Sequence, residues 1–340
     1  MPHSLRRLFC GLLAVGMLCA ACGCGDDTMR TTESTEVTTT TTADASSLSD
    51  RVPYVGDPVA PLFTDTLLDV SWSGEPSFTS RPTTEQDPEE LTYFAYAIVS
   101  PYTNPMEDTV VSMLGSLSSL YAEAVIARPT AEQLAQAGLD QPTAELDFRY
   151  ADDAAHHIAV GNTVGDTIAV QIDGGDAIYF VDDETYGELF SLTYDKAVNP
   201  YLFFIHIKTL QTVSLRNADL SCDFQLQHYP DDTNPDTNLI VTMGDVVYPT
   251  DNFRCLYEIM LRMLRTGYGG VVPDVDPLLE LTLGGTDGAV VRQVRFYANT
   301  DETAIAVFES GEIVTVSQSA VDHLLTQTER YLAGQPVIIK

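Results

Sequence analysis

The side chains able to do chemistry in this 340-residue chain are few and scattered. His156-His157 is its one pair of adjacent imidazoles. Neighbouring residues of a strand point to opposite faces, so the two cannot hold one ion from one side. For acid/base work either would need a second functional group in reach, and the reading is structural. Asp232-Thr-Asn234-Pro-Asp236-Thr-Asn238 places oxygen side chains at alternate positions, as calcium loops do. The sixth position is Thr237 rather than Gly and the twelfth Met243 rather than Glu, so Asp232, Asn234, Asp236 and Asn238 are weak metal candidates in a segment that also reads as an acidic turn. Cys222 and Cys255 stand either as buried free thiols or as a disulfide, which in an oxidising compartment contributes about 3–4 kcal/mol. Neither has a Cys-x-x-Cys partner for zinc or redox use. Arg254, Glu258, Arg262 and Arg265 read as one face of a helix over 251–265, linked by i, i+4 pairs. Arg254, Arg262 and Arg265 are therefore weak candidates for partner binding. Gly284 to Gly288 reads as a hairpin turn, without the Lys and helix of a phosphate loop. With no Gly-x-Ser-x-Gly elbow and no distinct carboxylate pair, no catalytic residue or cofactor is assigned, and the expectation is a protein that is not an enzyme.

The elements that must carry these residues recur. Pro142 to Phe148 resembles Pro277 to Leu283 at an offset of 135 residues, matching in Pro, Glu and Leu. Thr167 to Val170 pairs with Ala304 to Val307, and Ala177 to Val181 with Glu312 to Val316. Upstream, Leu91 to Val99 reads as a central strand, apolar on both faces. Val110, Leu114, Leu117 and Tyr121 mark the stripe of the helix that follows, and Phe253, Leu256, Met260 and Leu264 mark its counterpart. The class expected is α+β: two tandem related modules over 55–200 and 201–340, each an antiparallel β-meander packed on one long helix plus a short helix. Trp72, the only tryptophan, falls in the first strand as core.

The first copy carries an extra motif. Thr130-Ala-Glu-Gln133 is a capping box, and Gly138 closes that helix with Leu139 folding back. Gln136-Ala-Gly-Leu-Asp-Gln-Pro142, the strand and hairpin after it, the Val181-Asp182-Asp183 helix start and the step from Pro101 to Asp108 resemble the bacterial domain of unknown function 4340 family over roughly 65–190. The resemblance implies a secreted or lipid-anchored protein, in some members accompanying ABC-type transport systems of the gliding kind, and brings no catalytic residues.

The N-terminus reads as an address. Arg6 and Arg7, an apolar run from Leu8 to Leu18 and small residues at Ala20 and Ala21 form a signal peptide over 1–21. Leu18 to Cys22 resembles the lipobox of bacterial lipoproteins, with Cys22 as the lipidated residue and Cys24 as the weaker alternative. Residues 22–54, with Thr38 to Thr42 at their centre, read as a disordered Ser/Thr-rich tether. The localisation expected is extracytoplasmic, on the outer face of the bacterial cell membrane. Forty-nine acids against 17 basic residues give a net charge of −32, which argues against nucleic acid and anionic lipid headgroups as partners. The function expected is a non-catalytic interaction or accessory module for an envelope or transporter protein. A small-ligand or glycan-binding lipoprotein, with its site where the two copies meet, is the alternative.

Overall fold

Alternation decides many of the strands. In Ser221 to His228 the side chains of Cys222, Phe224 and Leu226 are buried while their neighbours face outward, the period of two that a half-buried strand requires. The structure, a computed structural model, describes residues 48–229, 238–285 and 288–339. All lie within one compact unit, Thr41–Lys340. The signal peptide, Cys22, most of the tether and Asp232, Asn234 and Asp236 lie outside the described residues.

The first part of the chain runs β1 (Val52–Pro53), β2 (Ala60–Pro61), β3 (Leu67–Trp72), β4 (Phe78–Pro82), α1 (Glu89–Thr92), β5 (Tyr96–Ser100), β6 (Asn104–Pro105), α2 (Asp108–Ser116), β7 (Ser119–Leu120), β8 (Ala124–Ala127), α3 (Ala131–Gln136), β9 (Ala144–Tyr150), β10 (Ala155–Val164), β11 (Thr167–Ile172), β12 (Ala177–Asp182), α4 (Asp183–Phe190) and α5 (Tyr194–Ala197). The second runs β13 (Thr212–Arg216), β14 (Ser221–His228), β15 (Leu239–Met243), β16 (Val246–Tyr248), α6 (Thr250–Leu261), β17 (Arg265–Tyr268), β18 (Leu279–Gly284), β19 (Val290–Ala298), β20 (Thr303–Phe308), β21 (Ile313–Ser317) and α7 (Gln318–Leu332). The fold is mixed α+β and dominated by antiparallel sheets. Apart from the edge strand β1, the first large sheet reads β8-β12-β11-β10-β9-β3-β4-β5-β6. From its β17 edge, the second reads β17-β21-β20-β19-β18-β13-β14-β15-β16. In chain order, helices α2 and α4 follow β6 and β12 of the first sheet, and α6 and α7 follow β16 and β21 of the second.

Each sheet closes its own apolar interior. Trp72 stacks on Phe78 at 4.7 Å and donates Nε1–H to the Leu189 carbonyl at 3.0 Å, fastening α4 to β3. In the second sheet, Phe224 meets Phe253 of α6 and Tyr331 of α7, each at 5.5 Å. Tyr268 packs against both interiors.

Four expectations need correction. Residues 48–54 are folded: Leu48 is buried with Ile126 and Phe180, and Val52–Pro53 pairs with β8. The helix expected to reach Tyr121 stops at Ser116, because Ser119–Leu120 is drawn off to pair with Ala60–Pro61, and Tyr121 is left exposed. The run from Leu91 to Val99 is a strand only from Tyr96; its start is the turn α1, and β5 lies next to the sheet edge. The closing helix of the second half is not short: α7 has 15 residues against 12 in α6.

Candidate functional site

The terminal strands of the two sheets bring together a buried polar cluster. Asn104 sits on β6, Arg265 opens β17, Glu312 precedes β21, and Tyr194 opens α5. All four are at least nine-tenths buried. The Arg265 guanidinium lies 3.1 Å from Glu312 Oε1 and donates to Asn104 Oδ1 at 3.2 Å. Asn104 Nδ2 donates in turn to Glu312 at 3.1 Å and to the Tyr194 hydroxyl at 3.2 Å. Burial weakens the hold of Arg265 on its proton, and the charge of Glu312 opposes that. An arginine nevertheless stays charged in any protein setting. Burial and the Glu312 charge push the Tyr194 hydroxyl well above the ordinary phenol range, so it stays protonated. The main chain joins the same cluster: Asn199 N–H donates to Pro105 and Arg265 N–H to Pro200, pinning the connecting segment to both sheets.

Beside this cluster opens a cleft of about 570 Å³. Glu75, Tyr102, Tyr194 and Asp195 line it from the first half, Tyr268 and Ile313 from the second. Tyr194 and Tyr268 meet edge to face at 4.5 Å, and the Tyr102 hydroxyl donates across to the Gly311 carbonyl at 3.3 Å. The tyrosines thus form its wall, the carboxylates its exposed rim.

The residues singled out in the sequence are dispersed. His156 and His157 face different partners: His156 Nδ1 lies 2.9 Å from Asp173, and His157 Nδ1 lies 2.9 Å from Asp147. Burial would raise the Asp173 carboxyl, but the His157 backbone N–H and the His156 ring together hold it below the usual range. Cys222 and Cys255 are free, and burial pushes the Cys222 thiol up to about 11. Arg265 is not on the helix face with Arg254 and Arg262. The helix α6 ends at Leu261, Met263 turns into the core, and Arg265 becomes the buried partner of Glu312. Arg262 pairs with Glu258, and Arg254 donates to Asn238 at 2.7 Å, at a second cleft of about 420 Å³ that also holds His206, Lys208 and His228. Asn238 is thus the one described member of the acidic segment. Sequence reasoning missed Asn104, Glu312, Tyr194 and Tyr268. The available signal was Glu312 itself, a carboxylate standing just ahead of an apolar strand.

Residues 98–238 match the model of a family described as Domain of unknown function (DUF4340). That stretch is similar to the DUF4340 family. The match starts and ends later than the 65–190 read from motifs, running from β5 into the second sheet. No curated protein and no solved structure matches the chain. The Gly138-Leu139-Asp140 turn within that stretch has a structural job here. Gly138 takes φ +71° and Leu139 N–H donates back to Leu134 at 2.9 Å, ending α3 in a Schellman turn. Asn162 then donates from its backbone to Ala137 and from its side chain to Gln136, docking that helix end on β10. A Cβ at Gly161 would lie 2.0 Å from the Ala137 carbonyl oxygen, so the contact requires glycine. Asn104 falls within the DUF4340 stretch, whereas Arg265 and Glu312 fall beyond it.

Proposed function

We propose that this chain is a non-catalytic extracytoplasmic accessory protein, held to the membrane by a lipid on Cys22. It is built from two related modules and presents a fixed surface to an envelope or transporter protein. Support for the related modules comes from the strand order, which runs the same way along both sheets. The observation that carries the function is the Arg265–Glu312–Asn104 cluster. Taking charges out of water is costly, and a buried pair is weak evidence for stability. Its attested use is to select one arrangement among several. Here the arrangement selected is that of two sheets, and a scaffold that presents one surface needs it fixed. The transporter partner rests on the DUF4340 resemblance.

A small-ligand or glycan-binding protein is the second reading, favoured by the cleft of about 570 Å³ at the junction, a size that ligand sites commonly have. Capture of membrane proteins by the native lipidated chain separates the two. The accessory reading expects one membrane protein to be recovered specifically. Recovery of none, with a melting temperature raised only by soluble sugars, supports the second reading instead. Arg254→Glu with Arg262→Glu also tests whether α6 docks: lost capture with an unchanged melting temperature is expected if it does, and retained capture removes that face.

A further inference from the structure

Building on the accessory reading, we propose that the junction cleft receives an arginine- or lysine-bearing segment of a partner protein. The lining discriminates among ligand chemistries. Its charged side chains are Glu75 and Asp195, and its other polar side chains are the hydroxyls of Thr193 and the three tyrosines. Ionised carboxylates only accept hydrogen bonds. Among the described residues, no guanidinium, ammonium, imidazole or side-chain amide lines this cleft. An anion would therefore meet repulsion at the rim. A sugar would find acceptors for its hydroxyl protons, but only the Thr193 and tyrosine hydroxyls to donate to its oxygens. A cation that donates hydrogen bonds suits the rim, because charge-assisted bonds are the strong ones.

The walls point the same way. Tyrosine faces attract cations, and Tyr268 already does so from the protein side, with Arg265 Cζ 5.3 Å from its ring centroid. A net charge of −32 adds a field that speeds the approach of a basic partner. A protein segment is favoured over a free amine by what flanks the cleft. Gly269, on its wall, leads two residues on to Val271, which is 86% exposed. A polypeptide can cover that apolar side chain, and a lone ammonium group cannot.

The test is calorimetric titration of the full-length protein with acetylated tetra-arginine, tetra-glutamate and chitotetraose. Glu75→Gln with Asp195→Asn removes the rim charges. Asp219→Asn with Asp245→Asn changes the net charge equally at exposed turns outside the cleft. Tetra-arginine should bind the wild type and the remote variant alike. The rim variant should weaken it about tenfold, a loss expected for close charge pairs, and added salt should weaken it further. Equal weakening by both variants, no binding of tetra-arginine, or rim-dependent binding of chitotetraose in its place would overturn the proposal. Membrane-protein capture keeps the two ideas apart. If the rim variant captures the wild-type partner undiminished, the cleft is not the docking point and the accessory reading survives. If the wild type captures nothing yet binds tetra-arginine through the rim, the accessory reading fails and a cation site remains.

Discussion

Asp87 shows what a local contact does to a single titration. Arg81 donates to its carboxylate and the Thr84 backbone N–H adds a bond at 2.5 Å, holding Asp87 down at about 2. An unfolded aspartate titrates near 3.9. Because the folded value is the lower one, the stabilisation is complete above the unfolded value and is lost as pH falls from about 4 to about 2. Asp87→Asn removes the titrating group. The gap in urea midpoint between wild type and this variant should therefore be constant from pH 7 to about 5 and shrink towards pH 2; a gap that does not change with pH contradicts the assignment. Arg81 and Asp87 are six residues apart, yet they were not singled out in the sequence, because 49 acids give any one carboxylate no distinction. Arg265 was singled out and misplaced for a related reason. Its spacing from Arg254 and Glu258 fits a helix, and only the turn of Met263 into the core breaks that period.

At the scale of elements, local patterns were legible and long-range competition was not. The capping box at α3 is present as read: Thr130 accepts from Gln133 N–H at 3.2 Å, and the Gln133 side chain accepts from Thr130 N–H at 2.9 Å. Such a pattern needs four residues and no partner elsewhere. The over-long helix at Val110 failed because its continuation is claimed by a strand about 60 residues earlier in the chain, and tertiary pairing overrides propensity. Two variants at α3 rank these effects. Thr130→Ala should lower stability by about 1 kcal/mol through the lost cap. Gly161→Ala should lower it by about 1–3 kcal/mol, since its Cβ must push the helix end off β10. Urea denaturation of both reads the order, and a neutral Gly161→Ala would mean the docking of α3 is loose.

At the scale of the molecule, the antiparallel sheet class could be read from the chain, but the junction could not. Asn104, Arg265 and Glu312 are brought together only by how the two sheets meet, across separations of 161 and 47 residues. The central claim is that this cluster selects the arrangement of the sheets. Its most direct test is a double-mutant cycle in urea on the full-length protein, with Arg265→Met, Glu312→Leu and the pair. Each single variant strands a buried charge and should lose about 3–5 kcal/mol, whereas the double variant should recover most of that loss. The wild type should unfold in one transition, and the single variants should split it as the sheets uncouple. Losses that simply add in the double variant, with one transition throughout, would contradict the account.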